Sequence, residues 1–210
     1  MSDQDSPIRI LSVDDHPLLR EGVAALIATR NDLALVAEAE NGREAVEQYR
    51  LFQPDITLMD LQMPVMSGIE ATLAIKAAFP SAGIIVLTTY SGDALAQRAL
   101  RAGAQAYILK SQVRKELVDT IRAVYRGQRR IDPDVAAKLA HHAGASTLTP
   151  KEIEVLALVA AGNSNKLIAR HLCIGEGTVK GHLKNILSKL DAKDRTHAAT
   201  LGLERGIIGI

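Results

Sequence analysis

Short apolar runs alternate with stretches of helical periodicity through the first 126 residues of this chain. The runs Ile8–Val13, Leu33–Ala39, Ile56–Met59, Ile84–Thr88 and Ala106–Leu109 have the length and aliphatic make-up of buried strands. Between and after them, Leu18–Ile27, Arg43–Leu51, Ile69–Ala78, Leu95–Ala102 and Leu117–Tyr125 carry apolar residues at helical spacing. Five such alternations predict an α/β domain: a doubly wound, five-stranded parallel sheet with helices on both faces. The run Ile84-Ile85-Val86-Leu87, apolar throughout, suits a central strand covered on both sides.

The pattern changes after Tyr125. Gly127 and the polar stretch GQRRIDPD end the last of those helices, and Asp132 with Pro133 starts a short helical segment reaching about His141. Residues 127–146 are therefore expected to be a partly helical linker between a domain over 1–126 and one over 147–210. From Thr147 the periodicity is helical alone. Thr149 to Glu152 reads as a capping box, in which the Thr oxygen accepts a backbone N–H and the Glu reaches back. That helix is expected to stop at Gly162. Ser164 caps a second through His171, a third covers Gly177–Leu190, and a fourth Thr196–Arg205, giving an all-α four-helix domain.

Composition adds limits. The start MSDQDSPIRIL is acidic and polar, with neither a basic region nor a long apolar run, which argues against a signal peptide and against a membrane partner. The lone cysteine, Cys173, allows no internal disulfide and suits a cytoplasmic protein; between Leu172 and Ile174 it reads as a small apolar filler. Charge is unevenly placed. Residues 1–125 hold 12 Lys/Arg against 16 Asp/Glu, whereas 126–210 hold 13 against 8. An acidic front and a basic back suggest a cation-binding or regulatory domain joined to one that meets a polyanion.

Ligands of such a sheet sit beyond the carboxyl ends of its strands. There the first strand ends in Asp14 and Asp15, the third in Asp60, the fourth in Thr88 and the fifth in Lys110. Each residue alone is unremarkable as a helix-starting acid, a strand threonine or a loop lysine. Together they make a crevice in which three carboxylates repel one another, and a hard cation such as Mg²⁺ would relieve that. A lysine and a hydroxyl opposite could receive the charge and oxygens of a phosphoryl group carried by an aspartate.

Val13-Asp14-Asp15, LMDLQMPVMSG at 58–68, Leu87-Thr88-Thr89 and YILK at 107–110 resemble the receiver domain of bacterial response regulators over about residues 7–126. The resemblance implies a flavodoxin-like fold and makes Asp60 the phosphoacceptor. It also implies Mg²⁺ held by Asp14, Asp15, Asp60 and the backbone carbonyl of Gln62. Lys110 would contact the phosphoryl group, and Thr88 with Tyr107 would form a switch pair. Many receivers have proline after the lysine, often in a cis bond; Ser111 stands there in this chain.

In the back part, GTVKGHLKNILSKL at 177–190 is amphipathic. Val179, Leu183, Ile186, Leu187 and Leu190 line one side, Lys180, Gly181, Lys184 and Ser188 the other, with no acid in the stretch. A short helix precedes it across a tight turn, as in a helix-turn-helix. LTPKEIEVLALVAAGNSNKLIARHL and GEGTVKGHLKNILSKLDAKDRTHA resemble the LuxR-type helix-turn-helix of NarL/FixJ response regulators. That implies a homodimer on double-stranded DNA, with Lys180, Gly181 and Lys184 toward bases or phosphates and Asn165, Lys166 and Thr178 toward the backbone. Lys180, Lys184 and Lys189 are expected to neutralise phosphates. Gly181 has no side chain to read a base, so discrimination should fall on Lys180, Lys184 and their neighbours.

The whole reads as a two-component response regulator, phosphorylated on Asp60 by a sensor histidine kinase, and not as an enzyme. An aspartate-nucleophile phosphatase would normally carry a second carboxylate just beyond its nucleophile, where this chain has Gln62. The other alternative is a phosphorylation-independent DNA-binding regulator with a degenerate receiver.

Overall fold

The computed structural model describes residues 6–89, 93–131, 136 and 148–208, which form two compact units. In the first, strands β1 (Ile8–Val13), β2 (Leu33–Ala39), β3 (Ile56–Asp60), β4 (Gly83–Thr88) and β5 (Ala106–Leu109) alternate with helices α1 (Pro17–Ala28), α2 (Gly42–Phe52), α3 (Gly68–Ala78), α4 (Asp93–Arg101) and α5 (Val113–Tyr125). The sheet runs β2-β1-β3-β4-β5-β6, and every neighbouring pair is parallel. The sixth strand, β6 (Arg130–Ile131), is an addition to the five expected and lies inside the stretch read as linker. Two residues are too few to show a period, so hydrophobic patterning passes over it.

Alternation along the strands divides the core between two faces. Ile8 and Ile10 of β1, Ile56 and Leu58 of β3, and Ile85 and Leu87 of β4 pack with Val23 and Ile27 of α1 and Leu117 and Ile121 of α5. Leu11, Val13, Met59 and Ile84 face the other way, onto Ala45 and Tyr49 of α2 and Ala71 and Ile75 of α3. Each fully buried Ile or Leu contributes about 1.5–3 kcal/mol. All six residues of β4 are buried, as its apolar run requires. Asn41 caps α2 by accepting from the amides of Arg43 and Glu44, and Ser67 and Glu70 form a capping box on α3.

The second unit is helical: α6 (Pro150–Ala160), α7 (Asn165–His171), α8 (Glu176–Leu190) and α9 (Arg195–Glu204). The capping box forms at Thr149 and Glu152, Ser164 caps α7, and Gly175 stands at the N-cap of α8 without a side-chain bond. Val155, Leu156, Ile168, Val179, Ile186 and Ala198 are at the centre of its core. Cys173 departs from the expected filler role. It is exposed, with φ at +52°, at the turn between α7 and α8, while Leu172 and Ile174 on either side pack against the core. The left-handed turn carries the thiol outward. The short helix expected from Asp132 falls outside the described residues apart from Ala136. No described helix is long and apolar enough to cross a membrane.

Candidate functional site

Strand register gathers the expected residues in steps. Val13 pairs with Met59, Asp60 with Leu87, and Thr88 with Leu109. Asp14, Thr88 and Lys110 each stand one residue past a residue paired to the neighbouring strand, at the same carboxyl edge as Asp60. The close turn after β3 depends on Gly68: a Cβ there would sit 1.8 Å from the Asp60 carbonyl oxygen. The Gly68 amide instead donates to the Leu61 carbonyl at 3.1 Å.

Lys110 is the hub. Its Nζ lies 2.7 Å from Asp14 Oδ2 and 2.8 Å from Asp60 Oδ2, with all three side chains largely buried. Burial pulls the lysine toward neutrality, but the bonds to both acids more than offset this and hold its pKa above the ordinary value. Burial likewise pushes the Asp60 carboxyl up, against the bond from Lys110, and the neighbouring Asp14 charge adds to the rise. Asp60 Oδ1 accepts the Leu61 amide at 2.7 Å, with the Gln62 amide at 3.5 Å. Gln62 itself is exposed.

Asp14 Oδ2 and Asp15 Oδ1 are buried oxygens without an aligned hydrogen bond. The first faces Lys110 and the second lies 2.8 Å from His16 Nδ1. One ligand atom each from Asp14, Asp15, His16 and Asp60 falls within 4.8 Å of the others. Oxygen-rich, over-acidic and with lone pairs to spare, this set fits a single hard divalent cation. His16 did not emerge from the sequence as part of the site, although its place directly after two acids was a signal. Arg20 was also missed; it donates to the Asp14 carbonyl and to Glu40, both at 2.6 Å, and fixes the end of β1.

Thr88 and Tyr107 share a hydrogen bond, and both are buried. Loss of solvent holds the Tyr107 phenol far above its ordinary pKa. The Lys110–Ser111 bond is trans, as are the other peptide bonds among the described residues.

In the helical unit, α8 presents Thr178, Lys180, Gly181 and Lys184 to solvent, and Lys166 of α7 is exposed. Lys180 lies 3.8 Å from Glu176, a loose surface pair. Two expected DNA contacts are engaged otherwise. The Lys189 ammonium lies 2.7 Å from the carboxylate of buried Glu152, tying the end of α8 to the start of α6. Asn165 Oδ1 accepts from Arg195 at 3.3 Å, and the same guanidinium donates to the Asn163 carbonyl at 2.7 Å. Arg195 thereby fastens α9 to the start of α7. No periodicity marks a pairing across thirty residues, so it escaped the sequence reading.

Residues 10–122 match the response regulator receiver domain, and residues 146–201 match the LuxR family of bacterial regulatory proteins. The transcriptional regulatory protein LnrK of Bacillus subtilis is 38% identical, over 95% of this chain and 98% of its own length. The response regulator protein VraR of Staphylococcus aureus is also 38% identical, over 96% and 99%. Among solved structures, RcsB of Salmonella enterica serovar Typhimurium, bound to promoter DNA in the presence of a phosphomimetic, aligns at a TM-score of 0.72. It is 26% identical and is matched over 93% of this chain and 98% of that one. With a receiver ahead of a LuxR-type helix-turn-helix, the chain belongs to the LuxR/NarL family of response regulators, which are DNA-binding transcription regulators of two-component systems and not enzymes.

Proposed function

We propose that this is a cytoplasmic regulator with Asp60 as its phosphoacceptor, that a sensor histidine kinase supplies the phosphoryl group, and that phosphorylation favours a homodimer on double-stranded DNA. The observation that carries this is Lys110 bridging Asp14 and Asp60 at the carboxyl edge of the sheet. Asp60 Oδ1 is spent on the Leu61 amide, which leaves Oδ2, on the lysine side, as the nucleophile. Lys110 then moves from carboxylate to phosphoryl oxygen, keeping its charge against the new anion. Asp14, Asp15, Asp60 and the Gln62 carbonyl would hold Mg²⁺, which when bound offsets negative charge during transfer. Thr88 gives up its bond with Tyr107 to donate to the phosphoryl group. That exchange supplies the differential contact through which phosphate can bias a conformational equilibrium.

At the other end of the signal, α8 enters the major groove. Lys180 and Lys184 meet bases or phosphates, Lys166 and Thr178 the backbone, and Asn165 stands at the start of α7. Lys189, held by Glu152, supports α8 from behind. That the similar RcsB is bound to promoter DNA in its structure supports DNA binding by this chain.

Intact mass after incubation with a small phosphodonor and Mg²⁺, on wild type beside Asp60→Asn, tests the input. A single acid-stable, base-labile phosphoryl group on wild type alone is the expected result. A gain on both proteins would place the phosphate elsewhere. Normal DNA binding and transcriptional output from Asp60→Ala would instead favour a regulator that works without phosphorylation.

A further inference from the structure

The outward side of α8 is unusual for what it lacks. Gly177 and Gly181 are one turn apart on an exposed side of the helix, and nothing lies within 4 Å of where a Cβ would stand on either. Gly181, inside the helix, costs about 1 kcal/mol relative to alanine, and no close packing in this unit requires it or Gly177 in the first turn. Asn185 continues the same line at the next turn and is exposed. No ion pair or side-chain hydrogen bond engages it among the described residues. Lys180 and Lys184 lie on one side of the line, one beside each lower step.

We propose that Asn185 reads an adenine in each half-site, and that the bare line through Gly177 and Gly181 lets α8 sit deep enough for it to do so. This rests on the assignment of α8 as the helix that enters the groove. The first residues of a recognition helix ordinarily meet the base edges; here two of them carry no side chain, so backbone approaches the groove floor. The first neutral side chain along that line that offers both a donor and an acceptor is the Asn185 amide. An asparagine amide matches adenine alone in the major groove, donating to N7 and accepting from N6. Lys180 and Lys184, both on one side of the line, are point charges suited to phosphate or guanine, so the discrimination expected of them and their neighbours falls chiefly on the neighbour Asn185.

Binding-site selection from a random DNA library, on full-length phosphorylated wild type, Asn185→Ala, Lys184→Ala and Gly181→Leu, tests this. Wild type should select sites with a fixed A·T pair at one position per half-site. Asn185→Ala should lose that one preference, by about ten-fold in relative affinity, while binding to random DNA and its salt dependence stay unchanged. Lys184→Ala should weaken all sequences together, and Gly181→Leu should blur the same position as Asn185→Ala by lifting the helix. Asn185→Ala is an exposed change to a better helix former, and an unshifted thermal transition confirms its fold. A full set of preferences retained by Asn185→Ala, beside a specific wild type, overturns the proposal. A wild type that binds DNA but selects no sequence removes α8 as the reading helix altogether.

Discussion

Val65 stands in the loop after Asp60 with φ at +67° and 72% of its surface exposed. A β-branched side chain in the left-handed region costs of order 1–3 kcal/mol, and exposure leaves no packing to offset it. Val65→Gly is therefore expected to raise the unfolding free energy of the receiver by about 1 kcal/mol, read as a higher urea midpoint at unchanged slope. Three residues on, the sign reverses. A methyl group at Gly68 would collide with the Asp60 carbonyl oxygen, so Gly68→Ala must push the start of α3 away from the end of β3. It should cost about 2–3 kcal/mol and slow the mass gain at Asp60 together with the fall in midpoint. Hydropathy does not say which of these positions is strained. Only backbone geometry separates a residue that strains its position from one that the position requires.

The elements differ in how much of their work was legible beforehand. Among the described residues, period and length placed β1 to β5 and α1 to α9, because each is long enough to show which of its residues are buried. The acids at strand ends were legible too, since a parallel sheet brings all carboxyl ends to one edge whatever the exact register. What the pattern could not hold was pairing between distant elements. Glu152 reads as half of a capping box, yet it is buried and also binds Lys189 of α8 at 2.7 Å. Burial alone would raise its pKa; the Lys189 ammonium and the Thr149 donors more than offset that and hold the carboxyl below 4.5. The unfolded carboxyl then binds its proton at higher pH than the native one. Stability from the pair is whole above pH 4.5 and is lost as pH falls through the lower native value. Glu152→Gln should cost about 1–2 kcal/mol at neutral pH and flatten the acid limb of the helical unit's melting profile. An acid limb identical to wild type would show that the pair adds nothing.

For the whole molecule, an acidic front and a basic back divide the work between receiving a signal and meeting a polyanion. The charge count overstates the DNA surface, because Lys189 is committed to Glu152. In a plot of log affinity against log salt, Lys184→Ala should make the slope shallower by about one. Lys189→Ala should leave the slope alone and lower the melting temperature instead. Equal changes in slope from both would return Lys189 to the DNA surface. The buried bond between Tyr107 and Thr88 bears on how much the proposed switch would have to move. With the ring already indoors, the proposed exchange shifts one hydroxyl and carries no aromatic group across the surface. Between two states that close in structure, a gap of about 1.4 kcal/mol would put roughly one molecule in ten in the minor one before any phosphate arrives. A switch built this way would idle rather than rest.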